Sequence, residues 1–112
     1  MIAQIDMSME QEQIYLYNMA QLYQLHRKVN DLFLLACVKV VSETKFLQEM
    51  LLVNHNIDSC LDSMYEAGIY NEADLALFGY KKSPEALAQE LELPVEVLHN
   101  ALATLREEGK LE

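Results

Sequence analysis

The first 67 residues of this 112-residue chain contain neither proline nor glycine, and this absence limits the fold more than any other sequence feature. The two prolines are Pro84 and Pro94, and the three glycines lie at positions 68, 79 and 109. Proline and glycine are the residues that most often interrupt helices. The N-terminal part is therefore free to form long helices, whereas the C-terminal part is divided into shorter segments.

Apolar residues of the N-terminal part recur at alternating steps of four and three. This spacing is typical of a helix whose apolar side packs against another helix. Ser8 and Gln11 fit a capping box at the start of that helix. The series consists of Tyr15, Met19, Leu22, His26, Val29, Phe33, Ala36 and Val40, continued by Leu47 and Met50.

Between Leu32 and Val41 nearly every position is apolar, as in a segment that is buried on several sides. Residues 9–53 form either one helix, about 67 Å long, or two helices folded back as a hairpin. The break of the hairpin falls at Asn30-Asp31 or at Ser42. We favour the hairpin, because a single rod would leave its apolar centre uncovered.

The polar stretch 54–56 predicts a turn, after which a third helix ends at Gly68. Asn71 is placed to cap a short helix that runs to Phe78. Ser83 followed by Pro84 predicts another helix start, because proline suits the first helical position. By the same reasoning a last helix begins at Pro94 and ends near the glycine at 109.

These segments predict an all-α protein. We expect a long N-terminal helix or helical hairpin, which forms a dimerisation region over residues 1–55. A compact helical unit follows over residues 56–112.

Residues 87–102 read LAQELELPVEVLHNAL, which resembles the helix-turn-helix unit of winged-helix and repressor-type proteins. The resemblance covers about residues 83–112, and residues 105–111 resemble the passage from the recognition helix into a first wing strand. Glu92 stands where the motif usually has glycine, so the turn has another geometry or carries strain there. Apolar residues occupy the positions that this motif buries: Leu87, Ala88, Leu91, Leu93, Leu98 and Leu102.

The chain carries 18 acidic and 8 basic residues, a formal net charge of −10, and the excess is spread over both halves. Such a surface repels phosphate backbones, and nonspecific affinity for nucleic acid needs several phosphate contacts. The motif therefore supports the fold better than it supports DNA reading. If DNA is read through the helix 94–106, the candidate contacts are Lys81, Lys82, His99, Asn100 and Arg106.

His26, His55 and His99 are widely separated, and none has a second histidine or cysteine at the spacing of metal ligands. Three isolated glycines cannot form a loop that cradles phosphate. We therefore expect no catalytic site, no cofactor and no metal. Cys37 and Cys60 are too few for a disulfide framework, and we expect a buried Cys37 and a partly exposed Cys60, both reduced.

The N-terminus lacks the basic start and apolar stretch of a signal peptide. The apolar run from Leu32 to Val41 is too short to span a bilayer. We expect a cytoplasmic protein with no membrane contact.

Six tyrosines suggest either a core whose hydroxyls reach water or an interface with another protein. Tyr15, Tyr17 and Tyr23 on one helix are the candidate partner-binding residues. We interpret the chain as a non-enzymatic regulatory adaptor that binds itself and another protein, with a basic or DNA-binding protein suited to its acidity. The alternative is a dimeric DNA-binding transcription regulator.

The N-terminal part has more apolar surface than two helices can bury against each other. We therefore expect a homodimer with a shared core. The residues expected in that core are Met19, Leu22, Phe33, Val40 and Leu47.

Overall fold

The computed structural model describes residues 8–110 and shows only helices and turns within them. This result confirms the all-α prediction. Five helices follow one another: α1 (Met9–Cys37), α2 (Glu43–Glu66), α3 (Glu72–Leu77), α4 (Pro84–Glu90) and α5 (Val95–Glu107).

The helices α1 and α2 form the predicted hairpin. Ser8 caps α1, and the Ser8 and Gln11 side chains each accept a hydrogen bond from the other's backbone N–H. Ser42 caps α2, since its Oγ accepts a hydrogen bond from the Lys45 amide at 3.1 Å. The break thus lies at Ser42, whereas Asn30-Asp31, the other possibility, lies inside α1.

The turn predicted at 54–56 is wrong, because α2 continues through this stretch to Glu66. Val53 and Cys60 lie seven residues apart on either side of it and are both buried, so the apolar side of the helix is not interrupted. Asn54 donates a hydrogen bond to the Lys82 carbonyl at 3.3 Å, which places this polar side chain against the following segment. Position 55, where the sequence suggested a division, therefore lies in the middle of α2.

The ends of the shorter helices were predicted from their caps. Asn71 and Asp74 form a capping box at the start of α3. Ser83 caps α4 with Pro84 in its first turn, and Pro94 precedes α5. Gly68 has a left-handed backbone, with φ of +79°, just after the end of α2, as expected for a residue that terminates a helix.

Two apolar clusters hold the helices together, and α2 contributes to both. The larger lies between α2, α4, α5 and the C-terminal half of α1, and it includes the fully buried Leu47, Val53 and Leu105. The smaller joins the end of α2 to α3 and the N-terminal half of α1 around Met64. α2 is therefore the central helix.

The apolar positions of the helix-turn-helix resemblance lie in the larger cluster or against it. Leu87, Ala88 and Leu98 are buried, and the other three apolar positions of the motif are half-buried against them. Glu92 adopts a left-handed backbone with φ of +57°. The turn thus has a conformation that favours glycine but carries a glutamate. Residues 111 and 112, which end the stretch that resembles the entry into a wing strand, lie outside the described residues.

The molecule measures 47 × 28 × 24 Å, and its Cα radius of gyration of 16.0 Å exceeds the roughly 13 Å of a compact chain of this length. The 29 residues of α1 span about 43 Å, so this helix accounts for the long dimension. α1 therefore lies along one side of the other helices.

Within residues 8–110, no helix combines the length and the apolar character needed to cross a lipid bilayer.

Candidate functional site

α1 and the turn after it carry most of the exposed large apolar residues of this protein's described part. Among the described residues, fourteen large apolar side chains are exposed, and ten of these belong to α1 or to the turn after it. One side of α1 packs into both clusters through residues such as Leu22 and Leu32, and Asn18 is buried on this helix as well. The ten exposed residues are Met9, Leu16, Tyr17, Met19, Tyr23, Phe33, Leu34, Leu35, Val38 and Val40.

Three of these residues form what we call the outer stripe: Leu16, Met19 and Tyr23, which are 59%, 37% and 61% exposed. Their spacing of three and four residues places them on one side of the helix. α1 therefore carries two apolar stripes. The inner stripe packs against the other helices of this chain, whereas the outer stripe is left exposed. His26, Asn30, Phe33 and Cys37 continue the outer spacing and are exposed as well.

The residues expected in a dimer core are separated by the fold. Leu47 is fully buried in the larger cluster, and Leu22 is half-buried in the smaller one. Met19, Phe33 and Val40 are exposed and remain available to another molecule. The apolar series identified in the sequence therefore combined residues that face the core with residues that face solvent.

The three candidate tyrosines also differ. Tyr17 and Tyr23 are exposed by 66% and 61%. Tyr15 is half-buried in the smaller cluster near Tyr70. Burial raises the pKa of Tyr70, and the nearby Tyr15 and Asp74 raise it further. Tyr15 therefore belongs to the core, and only the other two are free to contact a partner.

An open groove of about 1130 Å³ lies where the turn between α1 and α2 meets the turn between α4 and α5. Phe46 is the buried residue of its lining and contacts Phe33 edge to face, with ring centroids 5.3 Å apart. Apolar side chains from four segments therefore line one depression. They are Phe33, Ala36, Val41, Phe46, Leu91 and Leu93.

Four charged residues also line this groove: Lys39, Glu43, Glu90 and Glu92. Glu90 forms an ion pair with Lys82. Lys39 and Glu92 are two of the three non-glycine residues with positive φ in the described part of the chain, at +59° and +57°. Sequence reasoning missed this site, because its residues are scattered between positions 33 and 93 and converge only in the fold.

The two cysteines are placed in the reverse of the expected way. Cys37 is exposed and lines the groove, whereas Cys60 is buried. Burial raises the pKa of the Cys60 thiol. The prediction for Cys37 rested on its apolar neighbours. It was wrong because neighbours such as Leu34 and Val38 are themselves exposed at the end of α1.

The lysines proposed to contact DNA are engaged by acidic groups. The Lys81 amide donates to Asp58 Oδ1 at 3.0 Å, and its Nζ lies 3.4 Å from Asp62 Oδ2. Lys82 forms the ion pair with Glu90. The remaining candidates, His99, Asn100 and Arg106, are exposed on α5, a helix that also exposes Glu96 and Glu107. This surface therefore offers little net positive charge to a phosphate backbone.

Residues 8–110 contain no group of three histidine, cysteine or acidic side chains arranged to hold a metal ion. Comparisons with protein-family models, with curated proteins and with solved structures give no match.

Proposed function

We propose that this protein is a non-enzymatic regulatory adaptor that acts through protein–protein contacts as a homodimer. The observation that carries the proposal is the concentration of exposed apolar side chains on α1 and the turn after it. Soluble monomers rarely expose large contiguous apolar patches, and such patches mark interaction sites. The cytoplasm suits this adaptor, since a reducing compartment keeps the exposed Cys37 as a free thiol.

A second copy of the chain is the occupant that we assign to the outer stripe. The three-four spacing of Leu16, Met19 and Tyr23 suits a helix as partner, and α1 of another copy presents the same spacing. A two-fold dimer pairs one patch with itself, so no second surface is needed.

The charge of α1 is compatible with this pairing. The helix carries three acids, Glu10, Glu12 and Asp31, and two bases, Arg27 and Lys28, whereas the whole chain has a net charge of −10. The acid excess thus lies almost entirely outside α1. Two α1 helices can approach each other without the repulsion that the rest of the surface would impose.

Sedimentation equilibrium tests this proposal on the native chain and on the double variant Leu16→Lys/Tyr23→Lys. Two lysines in the outer stripe place like charges against each other in the dimer, so we expect the variant to be monomeric at micromolar concentrations that leave the native chain dimeric. Val95→Lys is the matched control, because Val95 is 63% exposed on α5, outside α1. A native chain that is monomeric throughout this range would contradict the homodimer.

A dimeric DNA-binding transcription regulator is the alternative, and the packing of α4 against α5 favours it. The pairing of Lys81 and Lys82 with acidic groups weighs against it. A mobility-shift assay at low salt decides, because a protein that reads DNA through α5 binds duplex most tightly there and loses affinity on Asn100→Ala. We expect no shifted duplex.

A further inference from the structure

The groove combines apolar and acidic lining residues. Phe33 and Phe46 are two of its apolar lining residues, and its charged lining residues within the described part of the chain are Glu43, Glu90, Glu92 and Lys39. Lys82 pairs with Glu90, so the carboxylates of Glu43 and Glu92 remain against the single cation Lys39. Helix ends do not change this balance, because the C-terminal ends of α1 and α4 are each followed closely by the N-terminal end of another helix. The side chains therefore make the groove a negatively charged apolar site.

Backbone strain marks the same two turns. A left-handed backbone is unfavourable for residues with a Cβ atom, and glycine adopts it without this penalty. Lys39 and Glu92 both have this backbone, and both line the groove. Strained conformations cluster at functional sites. At Glu92 the strained turn places a carboxylate in the lining of an apolar depression.

We propose that the groove binds a basic amphipathic helical segment of a partner protein, with its apolar side on Phe33 and Phe46 and its cations at Glu43 and Glu92. The inference rests on the proposed function as an adaptor. The groove excludes the three residues of the outer stripe and begins where Phe33 and Cys37 continue their spacing. A helix with apolar residues at steps of three and four is the usual occupant of such a groove.

A second copy of the chain fits the groove poorly. Its net charge is −10, and its longest helix, α1, carries only two cations, Arg27 and Lys28. A small molecule also fits poorly, because binding sites for small molecules enclose most of the ligand surface and this groove is open to solvent. An elongated cationic segment satisfies both the shape and the charge.

Cys37 provides a direct reporter for the experiment. It is the exposed cysteine of the pair and lines the groove, while Cys60 is buried. A maleimide therefore reacts with Cys37 first. The probe is a synthetic amphipathic helix of about three turns, with leucines on one side and lysines elsewhere. A second peptide with glutamate in place of every lysine is its matched partner.

We expect the lysine peptide to slow the modification of Cys37 in a saturable manner and to bind at least about tenfold more tightly than the glutamate peptide. Added salt should reduce this ratio, because the charges lie at an exposed edge. Glu43→Gln and Glu92→Gln should each weaken the lysine peptide by about two- to fivefold. Glu107→Gln, near the C-terminal end of α5, should leave its affinity unchanged.

The inference would be overturned if the lysine peptide did not protect Cys37, or if the two peptides bound with equal affinity. It would also be overturned if Glu43→Gln and Glu92→Gln left the affinity unchanged, as Glu107→Gln should. These outcomes are separable from failure of the proposed dimer. The dimer is measured by sedimentation through Leu16 and Tyr23, which do not line the groove. If both peptides protect Cys37 equally, the groove docks proteins by apolar contact alone, and the basic partner is wrong.

Discussion

The helices α1 and α2 have similar lengths, 29 and 24 residues, and pack against each other, but α2 buries many more of its residues than α1 does. α2 has nine buried residues, because it lies between α1, α4 and α5. α1 has two, because it packs chiefly against α2 and leaves its other side in solvent. Both helices are rich in apolar residues, so apolar content alone does not indicate burial. What α1 exposes is available for a partner.

The largest expected effect compares one leucine from each helix. Leu47 of α2 is fully buried, so Leu47→Ala should lower the free energy of unfolding by about 2–5 kcal/mol. Leu34 of α1 is 66% exposed, and Leu34→Ala should change it by no more than about 0.5 kcal/mol. Urea denaturation, followed by circular dichroism at one protein concentration, measures both. Equal losses would mean that Leu34 is buried in the folded protein and not exposed.

The next effect concerns the link between the start of α1 and the end of α2. Gln11 Nε2 donates a hydrogen bond to the Ala67 carbonyl at 2.7 Å, and Gln11 also completes the capping box with Ser8. Gln11→Ala removes both interactions and should destabilise the fold by about 1–2 kcal/mol. Gln13→Ala is the control, because Gln13 is exposed on the same helix. Identical unfolding curves for the two variants would show that this link contributes nothing.

A smaller, pH-dependent effect comes from Glu49 of α2, which forms ion pairs with Lys28 of α1 and with Lys45 of its own helix. Partial burial opposes ionisation of Glu49, but Lys28 Nζ at 3.1 Å and Lys45 Nζ at 3.2 Å outweigh it. The pKa of Glu49 is therefore lowered from its ordinary value of 4.5. A group with a lowered pKa in the folded state stabilises the fold above its unfolded pKa, and this contribution is lost as the pH falls through the folded value.

Glu49→Gln should therefore lower the free energy of unfolding by about 1 kcal/mol at neutral pH. The difference from the native chain should shrink as the pH falls below 4.5. Denaturation across this pH range measures it, with Glu12→Gln as the control on the exposed side of α1. A difference that persists at acidic pH would mean that the carboxylate charge is not its cause.

The smallest effect tests the turn that joins the two helices. Lys39 has a left-handed backbone in this turn, and its side chain is exposed. Lys39→Gly removes the backbone strain of the folded state, but it also raises the conformational entropy of the unfolded state, which opposes folding. We expect a net stabilisation of about 0.5 kcal/mol. Glu12→Gly within α1 should instead cost about 1 kcal/mol, because its backbone is helical. A destabilising Lys39→Gly would show that the turn is not strained.

Local signals in the sequence predicted the helix ends well. The caps Ser8, Ser42, Asn71 and Ser83 all occur where they were expected or proposed, because a cap depends on a few neighbouring residues. The turn at 54–56 was wrong for a related reason. A run of polar residues resembles a turn locally, but the packing of α2 on both sides of it kept the helix intact.

The candidate sites were harder to predict than the helices. The sequence contains both apolar stripes of α1, but their spacing is the same, and only the packing of Leu32 and Leu25 against α2 identifies the inner one. The groove has no counterpart in any short stretch of sequence, because Phe33, Phe46 and Leu93 meet only after the helices pack. One hint was visible in advance: Glu92 occupies a position that usually has glycine.

Hydroxyl-radical footprinting across a dilution series tests most directly whether the outer side of α1 is a dimer interface. If the outer stripe is the dimer interface, Leu16, Met19 and Tyr23 are protected at high protein concentration and become reactive on dilution. The exposed Leu77 and Phe78, at the end of α3, should react equally throughout. Outer-stripe residues that react to the same extent at every concentration, or protection that falls on α3 instead, would contradict it.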